Sequence, residues 1–478
     1  MRPHSTFDAV FSPAAVAMPI MVAAGVGEGR SRSRNTACLH AKDMRLSAPS
    51  ANGQPHYRIH ESQLSSGGAQ QRNIRVALYS HDTLGLGHLR RNLLIAQALR
   101  QSHLRATNLL ITGAYESNFF SLPEGVDCLT LPRLQKESDG SYASGQLAIS
   151  VSELVRLRAE AIASALAAFD PDLLIVDKVP TGAFGEMLPA LRYLADRGKT
   201  KCVLGIRDVL DDPATVRSEW LESSSEKNIA DFHDAIWVYG DQRVYDPIHE
   251  YRWSSQVAEL VRFTGYLDQS LRVTHPHRQR NDWIAELRKK YAALFVCTLG
   301  GGKDGYALAE TFVEAFKGQD ACGILLTGPF MPRELYESLC ASAARDSNLL
   351  VLNFTNEADQ LVSQADGIVA MAGYNTVSSI LSFNKPALLV PRVFPRQEQW
   401  IRADRLAKRG VVDRLHPDAL TPSAVRDWVA RIIHQKPTRS PSSSSRFDLN
   451  GLQRIVRFAS ELMATCNGSR VADQREAI

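Results

Sequence analysis

From Asn73 onwards, short apolar runs alternate with longer segments in which apolar residues recur every three or four positions. The runs IRVALYS, NLLIT, CLTLP, DLLIVD, CVLGIR and AIWVYG read as strands, and segments such as LRRNLLIAQALRQ and SELVRLRAEAIASALAAF read as amphipathic helices between them. A junction lies at RFTGYLDQS, near Gly265, and the polar stretch THPHRQRND follows it. A second series then begins: ALFVCTLG, GILLTG, LLVLNF, GIVAMA and ALLVP, again separated by helical patterns. Strands alternating with helices predict parallel sheets, because a parallel crossover needs a helix to bring the chain back. Two such series predict an α/β protein with two Rossmann-like domains facing across a cleft, residues 73–265 and 275–436. A Ser-rich insert at 437–449 then precedes a last helix at 450–464, expected to pack back towards the first domain.

The first 72 residues lack this order. The run AAVAMPIMVAAGVG is apolar, but Pro13 and Pro19 interrupt its segment, Asp8 precedes it and only Arg2 leads it. The remainder, up to Arg72, is rich in Ser, Arg, Gly, Asn and Gln without periodicity, so residues 1–72 are expected to be a disordered leader rather than a targeting segment.

Composition narrows the function classes. A chain of 478 residues is too long for one core, and 44% hydrophobic with 22% charged residues is ordinary for a soluble protein. A net charge of +4 is small for this length and argues against a nucleic-acid partner. The seven cysteines are scattered, odd in number and never spaced as CxxC, which fits a reducing, cytoplasmic setting with neither a disulfide frame nor a zinc site.

Ligands of open parallel sheets bind outside the carboxyl ends of the strands. The polar and glycine residues that fall there are His81, Asp82, Gly113, Asp177, Lys178, Arg207, Asp208 and Tyr239 to Asp241 in the first half. In the second half they are Gly300, Gly301, Gly302, Gly328, Thr355, Asn356, Gly373, Asn375, Thr376 and Arg392.

Three motifs among them carry chemistry. In HDTLGLGHLRRN, residues 81–92, Gly85 and Gly87 permit a tight turn with close backbone approach, and His88 stands at the helix start, where a neutral imidazole can accept a proton. In TLGGGKDGYALAETF, residues 298–312, three glycines leave a strand and enter a helix, an arrangement whose exposed N–H groups suit a diphosphate. It is neither a P-loop nor GxGxxG, since Lys303 is not followed by Ser or Thr. In the third motif, residues 365–410, Gly373, Asn375 and Thr376 open another helix, and the loop after the next strand carries Arg392, Arg396, Glu398 and Gln399. Carboxylate and amide side chains in such a loop supply paired acceptors and donors for sugar hydroxyls. Ordinary turn residues and a solvated charged loop would explain many of these positions one at a time; their clustering on one edge of both sheets is what singles them out.

The third motif resembles the donor-binding region of glycosyltransferase family 28, and the two glycine loops are similar to that family's loops in the same order. From Asn73 to about Met463, including FDPDLLIVDKVPTG and VLGIRDVLDDP, the chain resembles still more a bacterial group of predicted glycosyltransferases. The resemblance implies a double-Rossmann, GT-B type fold and transfer of a sugar from a nucleotide-diphosphate donor, a UDP-sugar, to a hydroxyl acceptor, with inversion and without a metal or other cofactor. It implies that Gly301 and Gly302 wrap the diphosphate, with Gly300 beside them, and that Thr355, after Phe354, reads the base through its backbone. Gly373 and Thr376 then lie near the phosphates, Glu398 and Gln399 contact the donor sugar, and His88, or Asp82 beside it, acts at the acceptor. Ser379 stands where the family usually has the glutamate that holds the ribose hydroxyls.

Two other functions fit the same residues: a sugar-nucleotide hydrolase in which His88 activates water, and a non-catalytic nucleotide-sugar-binding protein. The acceptor is not readable from the sequence. Arg133, Asp177, Lys178 and Arg207 lie on its expected side, a lipid-linked or saccharide acceptor fits, and Phe119 and Phe120 are candidates for peripheral contact with the inner membrane face.

Overall fold

A computed structural model describes residues 73–81, 86–114, 122–136, 141–273, 282–355, 357–434 and 447–476. The leader, Asp82, Gly85, Phe119, Phe120, Asn356 and most of the Ser-rich insert lie outside these residues.

Two parallel sheets organise the chain. The first uses β1 (Arg75–Ser80), β2 (Thr107–Thr112), β3 (Val126–Thr130), β6 (Leu173–Asp177), β7 (Lys201–Arg207), β8 (Ala235–Tyr239) and β9 (Val261–Phe263). A small antiparallel hairpin, β4 (Leu134–Lys136) and β5 (Tyr142–Ser144), stands apart. The second sheet uses β10 (Leu294–Thr298), β11 (Cys322–Leu326), β12 (Leu349–Leu352), β13 (Gly367–Ala370), β14 (Ala387–Leu389) and β15 (Asp413–Arg414). Strand order is β3-β2-β1-β6-β7-β8-β9 in the first and β12-β11-β10-β13-β14-β15 in the second.

Each sheet therefore winds outwards in both directions from its middle. The order reverses between β1 and β6 in one lobe and between β10 and β13 in the other, and a crevice opens at the carboxyl end of each reversal. The strands beside the crevices are almost wholly buried, which explains their unbroken apolar sequence: β6 and β8 expose no residue, and β1 only partly exposes its first.

The helices are started by local chemistry. Ser150 accepts from the Glu153 N–H at 3.2 Å while Glu153 accepts from the Ser150 N–H at 2.9 Å, a capping box that opens the helix Val151–Phe169. Asp212 caps Pro213–Glu222 in the same spirit, accepting from Ala214 and Thr215. The last helix, Gly451–Glu476, lies on the first lobe: Ile455 and Ala459 are fully buried, and the Phe458 ring sits 6.4 Å from Trp237 of β8. Its entry is fixed where the Tyr266 N–H donates to the Asp448 carbonyl at 2.8 Å.

Candidate active site

In the first lobe, β1 leads towards the glycine turn and the helix Gly87–Gln101, and β6 ends on Asp177. These adjacent strands bring His88 and Asp177 together: His88 Nδ1 lies 3.1 Å from Asp177 Oδ2, with the carboxylate fully buried and the imidazole 15% exposed. Arg91, one helical turn beyond His88, donates to Asp177 Oδ1 at 2.6 Å and also lies 2.9 Å from His88 Nδ1. Nδ1 cannot serve both neighbours with one proton. A buried carboxylate is the stronger acceptor, and Arg91 Nη2 already donates to Asp177, so we assign the proton to Nδ1, donated to Asp177. Nε2 then carries the lone pair. Although burial opposes it, Arg91 and then His88 hold the Asp177 carboxyl well below the usual carboxylate range. The neighbouring His81 ring, 5.2 Å from His88, is pushed far down by burial and by His88, so it stays neutral.

In the second lobe, β10 and β13 run side by side, Thr298 pairing with Ala370, so the loops that follow them start together. The triple-glycine loop is shaped by positive φ at Gly300 (72°) and Gly302 (88°). A Cβ on Gly302 would lie 2.3 Å from the Thr327 carbonyl, so this backbone conformation needs glycine. The N–H groups of Gly301 and Gly302 donate to no protein acceptor among the described residues. Next to this loop, Gly373 caps the helix Tyr374–Ser382, whose first-turn N–H groups have no intrahelical partner.

The PRQEQ loop joins the same side. Arg392 donates to Asp304 of the glycine loop at 2.8 Å and to Glu398 Oε1 at 2.8 Å, and the Arg392 N–H donates to Gln399 Oε1 at 3.2 Å. Glu398 is buried, yet Arg207, Arg392 and Arg402 outweigh that burial and hold its carboxyl below its ordinary range. Its second oxygen, Oε2, is buried with no hydrogen-bond partner.

The two crevices meet. Asn375 Nδ2 donates to the Gly87 carbonyl at 2.8 Å, one residue from His88. Arg91 lies between Tyr239 of the first lobe and Tyr374 of the second, its guanidinium carbon 5.6 and 5.5 Å from the two ring centres. The Tyr374 ring also receives Arg402, whose guanidinium binds Asp208 of the first lobe. The turn that opens the second-lobe helix therefore packs directly against the residues that hold His88.

Several of the residues singled out in the sequence meet across the lobes: Asn375 binds Gly87, beside His88, and Glu398 faces Arg207 and Lys178, while the triple-glycine loop is tied within the second lobe by the Phe330 N–H donating to the Gly301 carbonyl at 2.9 Å. Thr355 lies after β12, its hydroxyl accepting from the Glu357 N–H at 3.1 Å, and Phe354 beside it is 43% exposed. Arg133 leads into the β4–β5 hairpin, where its stem packs on Gly145. Ser379 is buried, its hydroxyl donating to Asp359 Oδ1 at 2.8 Å, with the Asn375 carbonyl 3.1 Å away. Asp359 in turn binds Arg90 of the first lobe at 2.9 Å. Sequence reading missed Asp359 and the Asp208–Arg402 pair, because a charge partner from another lobe leaves no mark in local spacing. Among the described residues no group of three or more His, Cys, Asp or Glu side chains is placed to hold a metal.

Residues 317–456 match the glycosyltransferase family 28 C-terminal domain, a stretch that contains Thr355, the turn at Gly373 and the PRQEQ loop. Over 192 residues the chain is 23% identical to the UDP-N-acetylglucosamine–N-acetylmuramyl-(pentapeptide) pyrophosphoryl-undecaprenol N-acetylglucosamine transferase of Vibrio parahaemolyticus, covering 38% of this chain and 54% of that protein. The match thus spans about half the length of this relative. Among solved structures, the kitacinnamycin glycotransferase superposes with TM-score 0.51 at 16% identity, covering 84% of this chain and 99% of the other. Acinetobacter baumannii MurG gives 0.50 at 14%, with coverage of 81% and 99%. A putative UDP-N-acetylglucosamine 2-epimerase from Listeria monocytogenes gives 0.54 at 11%, covering 81% and 95%, so the fold by itself does not decide the reaction. The chain thus has a two-lobed GT-B fold, and its residues 317–456 match the glycosyltransferase family 28 C-terminal domain.

Proposed function

We propose that this chain is a glycosyltransferase that moves a sugar from a nucleoside-diphosphate donor, a UDP-sugar, onto a hydroxyl acceptor, inverting the anomeric centre without a metal. The observation that carries this reading is the direct packing of a histidine–carboxylate pair on a helix start that offers free N–H groups, with Asn375 bonded to Gly87 at 2.8 Å. The amides of Gly301 and Gly302 and the helix start at Gly373 suit a diphosphate, and they are fixed before it arrives, so charge that develops on the leaving group needs no reorganisation. His88 Nε2 takes the acceptor proton while Asp177 holds the ring and stabilises the imidazolium that forms. Arg91 keeps Asp177 ionised for that task. Glu398, which faces Arg207 of the first lobe, and Gln399 carry the side-chain types that suit sugar hydroxyls. The family match and the name of the Vibrio relative support a nucleotide-sugar donor.

The reading sets the reaction in the cytoplasm, with the acceptor in solution or reached at the inner membrane face. No helix among the described residues is long and apolar enough to cross a membrane. A panel of nucleotide-sugars with saccharide and lipid-linked acceptors tests the proposal. Acceptor-dependent release of nucleotide supports it; release with free sugar and no acceptor makes the protein a hydrolase, and binding without turnover makes it a binding protein.

A further inference from the structure

Beside His88 lie two cations that have Glu398 as a neighbouring carboxylate but make no ion pair with it. Lys178 directly follows Asp177 at the end of β6, and Arg207 ends the neighbouring β7. The two strands are held in register there, the Lys178 N–H donating to the Gly205 carbonyl at 2.8 Å. Neither side chain makes a hydrogen bond or ion pair among the described residues, and Arg207 Nε is buried without a partner.

Four of the surrounding carboxylates are engaged elsewhere, and Glu398, which Arg207 faces, gives only Oε1 to Arg392. Asp177 is held by Arg91, Asp208 by Arg402, and Asp211 and Glu219 by Arg396. Arg207 lies near enough to Lys178 to raise the cost of charging it. Burial, then Arg207 and Arg396, pull the Lys178 ammonium down to about 8. Lys178 also holds a left-handed backbone, φ 71°, which a non-glycine residue adopts at some cost. Cationic side chains without a hydrogen-bond partner and local strain at one point are expected of residues arranged to bind a ligand.

We propose that Lys178 and Arg207 form an oxyanion subsite, separate from the donor diphosphate site, that binds a phosphate group carried by the acceptor next to the hydroxyl that reacts. This rests on the transferase reading and specifies its acceptor. The placement supports the acceptor over the donor: both cations come from the first lobe, on strands beside the one that leads to His88, whereas the free N–H groups suited to the donor belong to the second lobe. The phosphate would add the hydrogen-bonded counter-charge that Glu398 does not give either cation and would orient the acceptor for His88. Arg207 also faces Glu398 of the sugar-side loop, which places the anion at the junction of the two substrates.

The test uses the full chain saturated with UDP, so that the donor site is occupied, titrated with inorganic pyrophosphate by calorimetry. Wild type is expected to bind one further equivalent. Arg207→Gln and Lys178→Met each weaken that binding at least tenfold and leave the UDP affinity within twofold, while Arg207→Lys loses less. Absence of a second binding event in the UDP-saturated wild type overturns the proposal. So does a loss of UDP affinity in the variants as large as the loss of pyrophosphate affinity, which would assign the pair to the donor. Failure of the wild type to bind UDP at all would instead refute the donor reading. Melting curves of the variants separate each result from misfolding.

Discussion

Arg402 and Asp208 bind each other across the two lobes, the guanidinium donating to the carboxylate at 2.6, 2.9 and 3.0 Å with both side chains out of solvent. Arg402 also donates to the Ala372 carbonyl at 2.9 Å, just before the turn that opens the second-lobe helix. Tyr266 adds a donor to Asp208 at 3.1 Å, so the carboxylate is fully satisfied. The pair sets the distance between the lobes at the point where the chemistry is placed.

Removing one partner leaves the other charge buried. Arg402→Met should cost about 3–5 kcal/mol of unfolding free energy, and the double variant Asp208→Leu/Arg402→Met should recover part of it. Denaturant titrations of both variants check this. Equal loss in the single and double variants would mean that the pair acts through packing alone.

Ser379 gives a sharper comparison. Restoring the carboxylate usual at that position, with Ser379→Glu, would bury a second carboxylate against Asp359, which Ser379 now contacts at 2.8 Å. Like charges at that range disfavour one another, so the variant should be less stable than wild type and bind UDP no better. Ser379→Ala should cost only about 1 kcal/mol. Melting curves and UDP calorimetry on both variants test this; a gain in UDP affinity for Ser379→Glu would show that the position still faces the nucleotide.

The Lys178 ammonium is held down to about 8, chiefly by burial, against an ordinary value of 10.5. Below pH 8 the folded and unfolded forms both carry the proton, and the folded form bears the full penalty. Between pH 8 and 10.5 the folded form has released it and the unfolded form has not, so stability rises with pH through that window. Lys178→Met should therefore melt a few degrees above wild type at pH 7, with the gap closing as pH approaches 10.5. A variant that melts lower at pH 7 would contradict this.

Catalysis should separate from donor binding. His88→Gln is expected to lower turnover about 100- to 10,000-fold, the range for loss of a general base, with UDP affinity unchanged. Asp177→Asn should lower turnover as well, by leaving Arg91 without its counter-ion and His88 without its acceptor. Steady-state rates and calorimetry on each variant decide between this and a merely structural role, in which both quantities would fall together.

Much of this was legible in the sequence, for identifiable reasons. Strands such as DLLIVD and GIVAMA are buried on both faces, so their runs are continuous and their carboxyl-end residues can be read off directly; Asp177 and Gly373 were found in this way. The edge strands β9 and β15 and the β4–β5 hairpin have two or three residues each, too few to show a period. The partners of His88 were half visible: Arg91 follows it by one helical turn, but nothing local to Asp177 reveals that it lies beneath the ring. Asp359 and Arg402 owe their importance to the other lobe, and one sequence read by itself carries no trace of that pairing.

The account depends most on where the donor diphosphate sits. A crystal structure of the full chain with UDP is the most direct measurement. The account predicts the diphosphate within hydrogen-bonding distance of the Gly301 and Gly302 amides and of the first turn of Tyr374–Ser382, with His88 facing it across the gap. A diphosphate bound elsewhere, or glycine-loop amides turned away from it, would contradict the account.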